Sequence, residues 1–150
     1  MKKLQLIISG LAFCLAATAQ SNVVQFDYHA KKISDKVYEI HILAKMNDGW
    51  HIYSKDQPKQ AISQPTRITF NSSPLYALKG PIKENGDKKK YEDKVADIVQ
   101  YQYGGQVEFV QTLTLKATVK STITGHITYQ ACTDEQCQTP QTIPFEVSID

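Results

Sequence analysis

In the stretch KVYEIHILAKM every second residue is apolar: Tyr38, Ile40, Ile42, Ala44 and Met46. A two-residue period is the mark of a strand with one face buried, because successive side chains point to opposite faces. The same period returns in QVEFVQTLTLKATV (Val107, Phe109, Leu113, Leu115, Ala117, Val119), in STITGHITYQA (Ile123, Ile127, Tyr129, Ala131) and in TIPFEVSI (Ile143, Phe145, Val147, Ile149). Thr, Val, Ile and Tyr dominate these runs, as pleated surfaces prefer. Shorter strand candidates are VVQFDYH, WHIYS, TRITF, YALKG and DIVQYQY. No segment shows an amphipathic helix longer than about two turns. Asn47-Asp48-Gly49 predicts a turn before WHIYS, and Gly104-Gly105 a tight hairpin. The charged KENGDKKKYEDK, residues 83–94, reads as a long exposed loop. About eight or nine short strands with polar turns predict an all-β fold, an immunoglobulin-like antiparallel β-sandwich.

The chain opens MKKLQLIISGLAFCLAATAQ: two lysines, an apolar run from Leu4 to Ala17, then small residues at Ala17 and Ala19. This is the pattern of a cleavable secretory signal over residues 1–19, with the domain over 20–150. The apolar run is shorter than the ~20 residues a membrane-spanning helix needs, so the exported chain is expected not to span a membrane. A lipid anchor at Cys14 is disfavoured by the bulky Phe13 before it. Cleavage removes Cys14, Lys2 and Lys3, and the 17 basic residues then fall to the number of acidic ones, 15. A formally neutral chain is a poor partner for nucleic acid or an anionic membrane.

Two cysteines remain, Cys132 and Cys137, within YQACTDEQCQTPQ. In an exported chain they are expected to form a disulfide. Thr133 to Gln136 is a polar turn that sets the cysteines across a hairpin mouth, and Pro140 and Pro144 are expected to limit the ladder beyond it. So short a loop adds only about 2 kcal/mol of chain-entropy stabilisation. On spacing alone, a structural staple and a redox pair are equally good readings. A metal clip is not expected: His29, His41, His51 and His126 show no ligand spacing, and His41 and His126 sit opposite the apolar series as solvated imidazoles.

The segment YQACTDEQCQTPQTIPFEV resembles the cysteine-bearing end of the amino-terminal (alpha) domain of the DsbD thiol:disulfide interchange family. NDGWHIYS, Asn47 to Ser54, is similar to that family's Asp-Gly-aromatic segment, and KYEDKVADIVQY, Lys90 to Tyr101, takes the place of its acidic cap loop. The resemblance spans essentially the whole exported chain, as a stand-alone domain that ends at Asp150 without a transmembrane or thioredoxin-like portion. It implies an immunoglobulin-like fold and a periplasmic electron relay with no cofactor. In that relay Cys132 and Cys137 are the redox pair and Cys137 attacks the partner. The partners implied are a separate membrane thiol reductase and exported thioredoxin-fold proteins. Tyr53 matches the second aromatic of the Asp-Gly segment, and Glu92 and Asp93 match the cap-loop acids. The shielding aromatic of that loop falls on Tyr91 or Lys94, depending on alignment.

Asp134 and Glu135 lie in the turn itself, where negative charge raises a thiol pKa and quiets it toward stray disulfides; Asp is also an ordinary turn residue. By alternation Trp50 and Ile52 face the core or its edge, and His51 and Tyr53 face the other way, with Tyr53 at the site; as aromatics beside the cysteines, Trp50 and Tyr53 are also candidates for an apolar platform that receives the partner. Tyr101, Tyr103 and Tyr129 are assigned to the core or to cross-strand pairs. The alternatives to a relay are an exported binding or adhesion sandwich with a purely structural disulfide, and an accessory domain of an envelope assembly.

Overall fold

The alternating runs fold as strands. A computed structural model describes residues 22–149; the expected leader, residues 1–19 with Cys14, lies outside the described residues. In chain order the strands are β1 (Val24–Lys32), β2 (Val37–Met46), β3 (His51–Tyr53), β4 (Arg67–Phe70), β5 (Tyr76–Gly86), β6 (Lys89–Asp93), β7 (Ile98–Gly104), β8 (Gln106–Leu115), β9 (Ser121–Tyr129), β10 (Ala131–Cys132) and β11 (Gln141–Ile149). All pairings are antiparallel. The sheets run β1-β2-β8-β5, β10-β3-β7-β6 and β11-β9-β4. Only Gln130 separates β9 from β10, so one run of chain passes from the third sheet into the second.

One apolar core joins the three sheets. Ile40, Ile42, Val107, Phe109 and Leu113 from the first meet Ile52 and Tyr103 from the second and Ile123, Ile127 and Phe145 from the third. These are the predicted inward positions, and the architecture is the expected immunoglobulin-like sandwich.

Four local expectations change. The alternation in β8 stops at Leu115, and Ala117 and Val119 are exposed in a turn-rich link to β9. Gly104-Gly105 closes no hairpin: β7 pairs with β3 and β6, while β8 pairs with β2 and β5. Gly105, at φ 68°, instead turns the chain from one sheet into another, and its carbonyl accepts from Met46 N at 2.8 Å. Residues 83–94 are not a long loop but the end of β5, a two-residue turn and β6. Their charges follow from position, since both strands lie at sheet edges and solvate their outer faces. Pro144 does not end the ladder; it sits within β11, an edge strand, where its missing N–H costs no interior bond.

A buried acid fastens the second sheet to the first. The Glu84 side chain of β5 is only 4% exposed. It accepts from Ser54 Oγ and Lys55 N, both at 2.6 Å, and from Tyr103 OH at 3.1 Å, and pairs with Lys88 Nζ at 2.9 Å. Burial by itself pushes the carboxyl pKa up. The hydrogen bonds from Ser54, Lys55 and Lys88, with the Lys88 charge, outweigh it and hold the pKa below the ordinary value. Ser54 and Lys55 directly follow β3, so the ion pins the strand on which the site is built.

Glu84→Gln is expected to cost about 1–3 kcal/mol at pH 7, because buried donors lose a charged acceptor. The depressed carboxyl contributes fully above the unfolded pKa of about 4.3 and loses its contribution as pH falls through the folded value. The deficit of the variant therefore shrinks in strong acid. Thermal melts at pH 7 and pH 3 check this; an equal deficit at both would exclude the charge as the cause.

Candidate functional site

Strand β3 has three residues, all buried, and lies between β10 and β7. Its register sets Cys132 opposite His51 and Ala131 opposite Ile52 on one side. On the other side His51 meets Gly104 and Tyr53 meets Gln102. Paired residues share a face, and the face alternates along each strand. Ile52 and Ala131 thus go to the core, while Cys132, His51, Tyr53, Gln102, Gln100 and Ile98 share the outer face. The β6–β7 register adds Tyr91, opposite Gln100, to that face.

The cysteines close the edge of this face. Cys132 and Cys137 form a disulfide, and the turn between them is tied by Thr133 N to Gln136 O at 2.7 Å and Gln138 N to Ala131 O at 2.8 Å. The Thr133 hydroxyl accepts from the backbone N–H of Glu135 and of Gln136. Cys132, at the end of β10, is fully buried, whereas Cys137 is exposed. Cys137 opens on a cavity of about 270 Å³ walled by His51, Tyr53, Tyr91, Gln100 and Asp134, with Ile62 and Ser63 on its rim. The 54–66 segment is held there by side-chain amides. Gln100 Oε1 accepts from Ser63 N, Gln130 Oε1 accepts from Gln64 N, and Gln57 bonds the backbone of Tyr101 through both its donor and its acceptor.

The sequence-predicted residues separate at this point. Cys132, Cys137, Tyr53 and Asp134 come together around the cavity. Glu135 lies in the same turn, exposed. Trp50 is half-buried against the core and is not part of the cavity wall, so of the two aromatics expected beside the cysteines only Tyr53 lines it. Glu92 lies on the opposite face of β6 from Tyr91 and pairs with Lys90 at 2.7 Å. The Asp93 carboxylate accepts from Val95 N and Ala96 N, so it caps the β6–β7 turn. Of Tyr91 and Lys94, it is Tyr91 that lines the cavity.

His51 and the three glutamines were not singled out from the sequence. Alternation did place His51 beside Tyr53, and that was the available signal. The His51 Nε2 lies 3.2 Å from Tyr53 OH. Burial pushes its pKa down, partly opposed by the negative charge of Asp134. Burial therefore favours the neutral imidazole in the cavity.

An exposed sulfur bonded to a buried one and opening on a cavity supplies the accessible sulfur that thiol–disulfide exchange needs. The family model described as "Thiol:disulfide interchange protein DsbD, N-terminal" matches residues 17–149. The chain belongs to the DsbD N-terminal domain family. Its chemistry is accordingly thiol–disulfide interchange in the general sense. Three solved structures share the fold of this DsbD-family domain. The reduced DsbD N-terminal domain of Neisseria meningitidis is 17% identical, with a TM-score of 0.52 over 83% of this chain and 86% of that one. The complex between the DsbD and PilB N-terminal domains of the same organism gives 16% identity and a TM-score of 0.53 over 87% of each chain. The N-terminal periplasmic domain of ScsB from Proteus mirabilis gives 16% identity and a TM-score of 0.52 over 85% of this chain and 45% of that one. No curated protein matches the chain in sequence.

The His51 environment is checked by an NMR titration of the imidazole. Its midpoint is expected below the ordinary ~6.5. Asp134→Asn should lower it further, since the lost negative charge had favoured the imidazolium. A midpoint that rises in the variant would exclude Asp134 as the neighbour that opposes desolvation.

Proposed function

We propose that this DsbD-family domain is a periplasmic electron relay. It takes electrons from a membrane thiol reductase and passes them through Cys132 and Cys137 to exported thioredoxin-fold proteins. The observation that carries the reading is the asymmetry of the pair: a sealed Cys132 bonded to a Cys137 that opens on a cavity. Two neighbours support it, one named as a complex of two N-terminal domains and one as a periplasmic domain.

In the reduced chain, the Cys137 thiolate attacks one sulfur of a partner disulfide. The Cys137–partner bond forms as the partner S–S bond breaks, and the partner's leaving thiolate takes up a proton. Cys132, deprotonated, then attacks the Cys137 sulfur. The intrachain disulfide forms, and the second partner sulfur leaves and is protonated. Two electrons pass to the partner, and the chain gives up the two protons of its thiols. Reloading by the membrane donor reverses these steps. Neutral His51 is suited to accept the first thiol proton, and Tyr53, through its 3.2 Å contact, orients the ring. Asp134 and Glu135 disfavour the thiolate until a partner docks. Tyr91 and the largely exposed Ile62 give that partner an apolar rim to settle on.

Cys132→Ser, which keeps Cys137, should trap a mixed disulfide with a thioredoxin-fold acceptor, and Cys137→Ser should trap little. Non-reducing electrophoresis reads both, and equal trapping would remove the assignment of Cys137 as attacker. The double Ser variant should fold, at a cost of about 2 kcal/mol, and lose exchange altogether. A double variant that cannot fold would instead make the bridge a staple. In the Cys132→Ser background, Asp134→Asn with Glu135→Gln should lower the Cys137 thiol pKa, read as alkylation rate against pH. An unmoved profile would remove the electrostatic gate.

A further inference from the structure

Far along the chain from the cysteines, the first sheet gathers a second group of chemically capable side chains. His29 on β1 and His41 on β2 are direct partners in the ladder, and their rings stack with centroids 4.6 Å apart and planes 10° from parallel. His41 Nδ1 lies 2.9 Å from Glu108 Oε1 on β8. One ligand atom from each of His29, His41 and Glu108 falls within 4.8 Å of the others. The twelve-residue gap between the histidines hides this in sequence; the hairpin register creates it.

The other nitrogen of His41 is the informative one. Its Nε2 is buried and has no hydrogen-bond partner. A carboxylate oxygen of Glu39 stands 3.5 Å from it. A neutral imidazole carries one proton. If Nδ1–H donates to Glu108, the Nε2 lone pair is left facing another carboxylate. A buried acceptor aimed at an anion is an unfavourable arrangement. A cation bound at Nδ1 resolves it. The single proton then resides on Nε2 and points at Glu39, the carboxylate–histidine arrangement that supports metal-ligating imidazoles.

We propose that His29, His41 and Glu108 form a binding site for a divalent transition cation of the Zn²⁺ class, with Glu39 as the supporting carboxylate. Two imidazoles and a carboxylate suit that class. Ligands at metal distances of about 2.0–2.2 Å stand roughly 3.3 Å from one another in a tetrahedral set. His41 Nδ1 and Glu108 Oε1 are already 2.9 Å apart, so the cation takes the place of the proton between them. His29 is exposed and has room to swing the remaining distance. Glu108 also lines a surface groove with Asn85 and Asp87, from which water can complete the set. The site is independent of the redox reading.

The test is a titration of Zn²⁺ alone into the purified chain with its disulfide intact, in a non-chelating buffer, followed by calorimetry. One saturable ion per chain is expected. His29→Ala and Glu108→Gln should each weaken binding at least tenfold, and Glu39→Gln about tenfold through His41. His29 is exposed, so its variant stays folded even if a His41 variant does not. In ¹H–¹⁵N spectra the imidazole nitrogens of His29 and His41 should shift on binding, and those of His51 and His126 should not. Absence of saturable binding, binding that survives both His29→Ala and Glu108→Gln, or shifts confined to His51 or His126 would each overturn the proposal.

Discussion

The candidate site depends on the register of three residues. β3 is too short to hold itself, and its order comes from its neighbours, β10 on one side and β7 on the other. A slip of one residue in either ladder would exchange the faces. Ile52 would leave the core and His51 and Tyr53 would enter it, taking polar groups from the cavity into an apolar interior. The cost of that exchange is what keeps Cys132 opposite His51. Glu84 adds a second lock immediately downstream, through Ser54 and Lys55. A buried ion with four donors tolerates little displacement, because each lost bond leaves a charge in a dry place.

The period-two pattern made the sandwich legible. Every long alternating run is a strand, and the inward series of β2, β9 and β11 match the core. What failed was the reading of connections. Gly104-Gly105 has hairpin composition, yet composition encodes only a local reversal and not which sheet receives the next strand. The charged 83–94 stretch looked like a loop because edge strands solvate most of their side chains. Ala117 and Val119 continue the period but not the strand, since two alternating residues without a facing partner have nothing to bury against.

Within the site, legibility divided along the same line. The cysteine pair was visible from composition and spacing, and Tyr53 from its motif and its parity. Tyr91 was recoverable from β6 parity once β6 was known to be a strand; reading that stretch as a loop hid it, and drew attention to Glu92 on the opposite face. His51 sat in plain view beside Tyr53. The glutamines that hold the 54–66 segment are neutral and common, and only three-dimensional contact distinguishes them. The His29–His41 pairing belongs wholly to register, which no one-dimensional spacing rule captures.

The unequal burial of the two cysteines has a consequence for traffic. Cys132 is sealed and Cys137 alone reaches the surface. Any protein that exchanges with this pair must therefore come through the same doorway and leave before another enters. A supplier of electrons and a recipient would be rivals for one opening, never joint occupants of a ternary assembly. Throughput would then be governed by how quickly each visitor departs, and an abundant guest that lingers would stall the others without touching their chemistry.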